Sequence, residues 1–182
     1  AGIGETILVK IEIANVSDLF AFQISLFFDD SILEFQDATE GSFLNQSGQQ
    51  STLKINPIQS PGTVFGYAVS RVGKIPGVSG SGELASFRFK TKKAGQAKIF
   101  VSQDATRGTK IVSSSLEKIP FQTKDLIFEV DSFSGTSAGA SALADVTPPF
   151  LQKVLPAKNS FNIEPDAKII LEIADGAGNV DV

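Results

Sequence analysis

Apolar and polar residues alternate over two neighbouring stretches near the start of the chain, 6–13 and 19–28. A period of two residues is typical of a strand with one buried face, because successive side chains point to opposite sides. The pattern therefore predicts two strands, and residues 15–18 between them are predicted to form a turn. In the second strand the predicted inward positions are Phe20, Phe22, Ile24, Leu26 and Phe28.

Shorter stretches of the same kind follow, separated by Gly, Pro and Asp. They predict further strands over 32–37, 52–55, 63–70, 83–91, 96–101, 110–112 and 125–130. The polar stretch 39–51 is predicted to be a loop, and the glycine-rich stretch 71–82 a long connection or a mobile rim of a binding face. About nine short strands with turn signals between them predict an all-β antiparallel sandwich.

The composition changes after residue 131. Residues 132–145 are rich in Ser, Gly and Ala, which is typical of a linker, so we divide the chain into 1–131, 132–145 and 146–182. The last segment predicts two more strands, at 146–154 and 168–174. It is too short to bury a core of its own. It is therefore either a truncated second module or a C-terminal β extension that docks on the first domain.

Several function classes are excluded by the residue types that the chain lacks. It has no Cys and no His, which removes thiol nucleophiles, imidazole acid–base groups and ordinary zinc sites. Carboxylate pairs such as Glu34 with Asp37, or Glu83 with Asp104, have no spacing that places them across a cleft. We therefore expect no enzymatic activity.

Charge and hydropathy argue against nucleic acid and membranes as binding partners. The net charge is -4 and the cations are scattered singly, so no basic stripe is available for nucleic acid. No apolar run approaches the roughly 20 residues that would span a bilayer, so we expect no membrane insertion.

Three short motifs within residues 3–131 resemble the cohesin family. They are Asn15-Val16 at a turn, Phe28-Asp29 followed by Ile32-Leu33-Glu34 at a corner, and Gly82-Glu83-Leu84-Ala85 at the start of a strand. The resemblance implies a nine-stranded jelly-roll sandwich that binds a dockerin-type protein module. It also implies an extracellular or cell-surface location in a prokaryote. The segment after residue 145, with DVTPP and DGAGNVDV, resembles the start of a bacterial Ig-like repeat.

The resemblance also implies an interface on one outer sheet face. Transferred to this chain, that interface would contain Glu34, Gln36, Asp37, Tyr67, Ser70, Ser86, Arg88 and Lys90. Tyr67 is the strongest candidate, because it is the only Tyr and a ring with a hydroxyl suits an interface centre. The alternative is that these polar residues simply face solvent and that Tyr67 belongs to the core.

No cofactor is predicted for the chain itself. Asp29, Asp30 and Ser31, and separately Asp175, Asn179 and Asp181, have oxygen atoms that suit calcium, but turn chemistry explains both groups. Dockerins carry paired calcium loops, so we expect any calcium on the partner. Two alternatives to a dockerin-type partner stay open, which are a polysaccharide ligand and a purely structural spacer in a surface protein.

Overall fold

The computed structural model describes residues 1–46, 52–132 and 167–174, and nearly all of their regular structure is β-strand. The strands are β1 (Thr6–Phe28), β2 (Leu33–Glu40), β3 (Thr52–Ile55), β4 (Ile58–Ser60), β5 (Thr63–Arg71), β6 (Val78–Thr91), β7 (Gly95–Val101), β8 (Lys110–Ser113), β9 (Gln122–Thr123), β10 (Leu126–Val130) and β11 (Lys168–Ala174). The predicted all-β sandwich is confirmed, with more strands than the expected nine. The predicted strand at 146–154 and the linker residues 133–145 lie outside the described residues.

The first two predicted strands are one continuous strand of 23 residues, β1. The predicted turn is a corner within that strand, residues 15–18, where Asn15 and Asp18 have φ angles of 57° and 55°. Such left-handed backbone is tolerated best by Gly, Asn and Asp, which explains why these two residue types stand there. The corner divides β1 into a first half that belongs to one sheet and a second half that belongs to the other.

The first sheet has the order β2, β6, first half of β1, β11, β9. All of these pairs are antiparallel except the last, in which β11 and β9 run parallel over two residues. The β2 strand carries a bulge at Gln36, where the register with β6 shifts between Phe35 and Asp37. The bulge keeps Phe35 and Ala38 on the inner side, because it adds one residue to the alternation.

The second sheet has β5 next to the second half of β1, with the short strands β3 and β4 on the outer side of β5. On its other side β1 pairs with β8 and β7, and β7 pairs with β10. Each half of the long β1 strand is therefore flanked on both sides. This connectivity joins two sheets through a single strand.

The core lies between the two sheets and is formed by aliphatic and aromatic side chains. Two edge-to-face aromatic pairs connect the sheets, Tyr67 with Phe87 at 5.5 Å and Phe28 with Phe89 at 5.1 Å between ring centroids. Such geometry is favourable because the ring edge and the ring face carry opposite partial charges. The inner sides of β5, β1 and β6 thus form one continuous apolar layer.

Part of the predicted loop 39–51 also contributes to the core. Residues Phe43–Asn45 form one 3₁₀ turn, and Phe43 and Leu44 are each 1% exposed. This turn contacts β1, β5 and β6, so it covers the sandwich where both sheets end. The predicted connection 71–82 also differs, because Val78–Gly82 is the beginning of β6 and pairs with β1 at the corner.

The strand predicted at 168–174 is confirmed, and it pairs with the first half of β1 over seven residues. Ala167, Ile169 and Leu171 are buried in the same core as the side chains of β1 and β6. Of the two alternatives for the C-terminal segment, docking on the first domain describes residues 167–174. The two motifs of the Ig-like resemblance, DVTPP and DGAGNVDV, lie outside the described residues.

Substitution of Ile169, which is 1% exposed, tests whether β11 contributes to the stability of the sandwich. We expect Ile169→Ala to lower the free energy of unfolding by about 2–5 kcal/mol, because a large buried side chain leaves a cavity. The matched control Ile173→Ala, on the same strand but 40% exposed, should cost less than about 1 kcal/mol. Equal effects of the two variants in urea unfolding would contradict the docking of β11.

Candidate interaction surfaces

The sandwich presents two outer faces with different chemistry. We call the solvent side of β2, β6, β1 and β11 the first face, and the solvent side of β3, β4, β5, β1 and β8 the second face. Both faces are built by the period-two alternation of their strands, which sends every second side chain to solvent. The predicted interface residues divide unequally between them.

The first face carries most of the predicted interface residues in three cross-strand rows. Directly opposite residues of an antiparallel pair lie on the same side of the sheet. By the register, Glu34 lies beside Lys90, Asp37 beside Arg88, and Thr39 beside Ser86. Gln36 is exposed at the β2 bulge. The structure therefore places six of the eight predicted interface residues on one sheet face, which are Glu34, Gln36, Asp37, Ser86, Arg88 and Lys90.

Two ion pairs join charged side chains of the first face. Arg88 Nη1 contacts Asp37 Oδ2 at 3.1 Å, and Lys10 Nζ contacts Glu83 Oε2 at 3.5 Å. Ser86 is only 6% exposed, and its hydroxyl donates to Glu83 Oε1. The expectation that Ser86 offers surface to a partner is thus corrected, because its neighbours cover it. The remaining predicted interface residues of the first face are exposed or half-buried.

The second face has two rows that cross four strands. One row is Leu53, Ser70, Ala21 and Val112, and the other is Ile55, Ala68, Gln23 and Lys110. Ser70, which is half-buried, is the one predicted interface residue that lies here. Small and apolar side chains dominate both rows, so the centre of this face is low in charge.

The outer edge of the second face exposes three large aliphatic side chains. Leu53 is 61% exposed, Ile55 57% and Ile58 62%. Ile58 lies directly opposite Phe65 of β5, which is half-buried. Monomeric proteins seldom expose a contiguous patch of such residues unless the patch binds something. We call Leu53, Ile55, Ile58 and Phe65 the apolar patch.

A bulge in β5 turns Phe65 towards solvent. The register with β1 shifts between Ile24 and Leu26, so that Phe65 and Gly66 together face Ser25. Gly66 has φ 79°, a conformation that favours glycine, and its N–H donates to Ser25 Oγ at 3.2 Å. Ser25 itself is buried and donates to the carbonyl oxygen of Arg107 at 2.7 Å. These bonds fix the loop that carries Arg107 beside β5.

Arg107 lies over the Phe65 ring, with 5.5 Å between the guanidinium carbon and the ring centroid. An open depression of about 410 Å³ is lined by Ile58, Phe65, Gly66, Gln23, Thr106 and Arg107. Aromatic and arginine side chains at the border of an apolar depression are the residue types that contribute most to protein interfaces. Lys110, which lies opposite Gln23 in the second of the two rows, adds a second cation at the border of the depression.

Tyr67 is corrected from an interface residue to a core residue. Its side chain is 0% exposed and packs between Phe22 and Phe87. Its hydroxyl has no hydrogen-bond partner among the described residues. Burial, together with the nearby Glu40 carboxylate, raises the pKa of Tyr67 to about 12. The alternation of β5 is the physical reason, because Val64, Tyr67 and Val69 all point inwards around the bulge.

Two of the candidate calcium ligands at 29–31, Asp29 and Ser31, form hydrogen bonds with each other within a turn. Asp29 Oδ1 accepts hydrogen bonds from the Ser31 hydroxyl at 2.7 Å and from its backbone N–H at 2.9 Å. These bonds hold the pKa of Asp29 below its usual value. Within residues 1–46, 52–132 and 167–174, no three acidic side chains converge on a common point. Asp175, Asn179 and Asp181 lie outside the described residues.

The residues of the apolar patch were not predicted as interface residues from the sequence. The stretch 52–55 alternates like any half-buried strand, and this alternation alone does not show that its apolar side chains face solvent. No side chain of β3 or β4 is buried in the structure, because these strands form the outer edge of the second sheet. The signal that could have found them is their position between two polar loops, which is typical of an edge strand.

A family model described as Cohesin domain matches residues 1–124 of the chain. The match ends before β10 and β11. No curated protein sequence matches the chain. Among the described residues, no helix is long and apolar enough to cross a bilayer.

Solved cohesin structures share the fold. A non-cellulosomal cohesin from the archaeon Archaeoglobus fulgidus has a TM-score of 0.53 at 17% identity, over 72% of this chain and 84% of that one. A type II cohesin from the cellulosome of Acetivibrio cellulolyticus has a TM-score of 0.53 at 18% identity, over 65% and 81%. The sixth cohesin of scaffoldin B from the same organism, in complex with a dockerin, has a TM-score of 0.54 at 15% identity, over 72% and 92%.

The buried hydroxyl of Tyr67 predicts a specific response of stability to pH. The pKa of tyrosine in the unfolded chain is near 10.0, while in the folded chain it is about 12. As the pH rises through this window the unfolded state loses the proton first, so the stability of the folded state falls. We expect Tyr67→Phe to lack this loss and to unfold at the same or a higher urea midpoint near neutral pH, because an unpaired buried hydroxyl is removed.

The check is the urea midpoint of both proteins between pH 10 and pH 12. All other ionisable groups are common to both proteins, so the difference between the two pH profiles isolates Tyr67. Parallel pH profiles of the two proteins would contradict the burial of this side chain.

Proposed function

Since the chain belongs to the cohesin family, we propose that it is a non-catalytic recognition module that binds a dockerin-type protein through the second face. The observation that carries the proposal is the apolar patch, defined above as Leu53, Ile55, Ile58 and Phe65. The fold supports protein recognition as the general role. The choice of face and the choice of partner are the parts that require a test.

The apolar patch has the composition expected of an interface centre. Fully buried interface cores are poor in charge and rich in aliphatic and aromatic side chains, while the rim is polar. On the second face Ala21, Ala68 and Ser70 provide a smooth surface next to the exposed aliphatic edge. A partner that covers this area removes the exposed surface of three aliphatic side chains from water, which favours association.

The first face is less suited to the same role. Its exposed residues are charged, and Asp37 and Lys10 already have partners in Arg88 and Glu83. Burying such pairs under a partner costs desolvation energy that their mutual attraction repays only in favourable geometry. The second face requires no such cost at its centre. Its cations, Arg107 and Lys110, stand at the border, where a partner with acidic residues fits.

The class of partner is proposed from the family and from the solved complexes. A cohesin of the same fold has been solved in complex with a dockerin, which supports a dockerin-type partner for this chain. We place any calcium of the complex on that partner. We further propose an extracellular location, since related cohesins belong to cellulosomes.

The polysaccharide alternative is less favoured than a protein partner. Carbohydrate sites depend on exposed aromatic rings, and the only Tyr of the chain is in the core while Trp is absent. Phe65 is the one aromatic side chain of the apolar patch. A structural spacer would need neither the exposed patch nor its cationic border.

The proposal is tested by titrating the full chain with calcium-loaded dockerin modules in isothermal calorimetry. We expect Ile55→Asp and Ile58→Asp each to weaken binding by about tenfold or more, because each places a charge at the interface centre. Both side chains are more than half exposed, so both variants should fold. Circular dichroism and the urea midpoint check that they do.

The matched controls are Glu34→Ala and Arg88→Ala on the first face. We expect both to change the affinity less than about threefold, as for residues outside a contact. If the two controls weaken binding while the β3 and β4 variants do not, the first face is the interface. If a broad panel of dockerin modules gives no binding, the proposed dockerin-type partner is wrong.

A further inference from the structure

The edge of β1 opposite β6 is filled by a strand that is distant in sequence. β11 lies beyond the family-matched residues 1–124 and pairs with β1 from Leu8 opposite Ala174 to Ala14 opposite Lys168. All seven residues of β11 take part in the ladder, so its backbone is bonded along its whole length. Between Leu8 and Ala14, no other described strand pairs with this edge of β1.

β11 contacts the rest of the sandwich through backbone pairing and through buried apolar side chains. Ile169 and Leu171 bury their side chains in the core beside Ile11 and Ile13 of β1. Beyond β1, the one strand that pairs with β11 is β9, through Gln122 and Thr123. The strand therefore fills a single groove, which consists of one backbone edge and the apolar side chains below it.

We propose that this edge of β1 is a strand-acceptor site that takes the β11 strand of the same chain in a monomer and of a second copy in a dimer. The ladder and the buried side chains are identical in the two cases, so an exchange conserves every contact of β11. Only the connection differs. Residues 132–167 span at most roughly 120 Å when fully extended, which is ample for reaching a neighbouring molecule.

The pairing also explains why the occupant is a copy of this chain. Lys10 of β1 stands directly opposite Glu172 of β11, and Ile11 stands opposite Leu171. A shift by one residue would place Lys10 opposite Leu171 or Ile173 and turn the buried residues of β11 to solvent. The apolar alternation therefore specifies the register in which β11 pairs with β1.

Disulfide trapping tests the proposal directly, because the natural chain has no Cys. Directly opposite residues of a ladder have Cα atoms about 4.5–5.5 Å apart, within the range that a disulfide bridges. The double variant Lys10→Cys with Glu172→Cys should therefore oxidise at low protein concentration to a monomer with an internal disulfide. This first arm shows that the acceptor edge holds β11.

The second arm uses two full-length chains, one with Lys10→Cys alone and one with Glu172→Cys alone. The two chains are unfolded together, refolded at high concentration and oxidised. We expect a disulfide-linked dimer that contains one copy of each chain, in an amount that rises with the refolding concentration. A yield of this dimer above that of the control below requires β11 of one chain to lie on β1 of the other.

The matched control replaces Glu172→Cys by Lys168→Cys, which is on the same side of the same strand but pairs with Ala14. Four residues along a strand are about 13 Å, so this cysteine is out of reach of position 10. Equal yields with both partners would indicate random collision and overturn the proposal. A monomeric internal disulfide in the first arm, with no mixed dimer at any concentration, would overturn it as well. Neither arm involves a dockerin, so the result is independent of the proposed function.

Discussion

The corner of β1 is the constraint on which the two sheets depend. Three hydrogen bonds to the Asp18 carboxylate hold the corner in place. The donors are the Ser114 hydroxyl at 2.7 Å, the Gly77 N–H at 2.7 Å and the Ser114 N–H at 3.2 Å. These bonds hold the pKa of Asp18 below its usual value. Position 77 requires glycine, because the Cβ of any other residue would lie 2.3 Å from the Asp18 backbone. One strand can therefore leave the first sheet and enter the second without a break in pairing.

The corner has a direct consequence for the two outer faces. The first half of β1 lies between β6 and β11. There charged side chains alternate with buried apolar ones, and Lys10 forms an ion pair with Glu83. The second half lies between β5 and β8, where Ala21 and Gln23 form the centre of a smooth face. The short strands β3 and β4 then add exposed aliphatic side chains to one side only. Because of this asymmetry, we assign recognition to the second face and regard the first as solvated.

Much of the fold could be predicted from the sequence because strand periodicity is local. The strands at 52–55 and 168–174 have the predicted bounds, and Phe22, Ile24, Leu26 and Phe28 of β1 are buried as the alternation predicts. The prediction for Phe20 is wrong, because next to the corner Leu19 is buried and Phe20 is only half-buried. The faces of the sandwich could not be predicted in this way. Alternation shows that Tyr67 and Ser70 point to opposite sides of the sheet. Only the register and the β5 bulge determine that Tyr67 is the one that points to the core. Likewise, nothing local shows that β5 lies in a different sheet from β2 and β6, or that β11 returns to β1.

The central claim is that one strand creates two faces and that recognition uses the second. Amide hydrogen exchange of the full chain, with and without a bound calcium-loaded dockerin module, measures this most directly because it reports every strand at once. The account predicts that binding slows exchange at β3, β4, β5 and β8, and leaves β2 and the 86–90 part of β6 unchanged. Slower exchange at β2 and β6 with no change at β3 to β5 would contradict it.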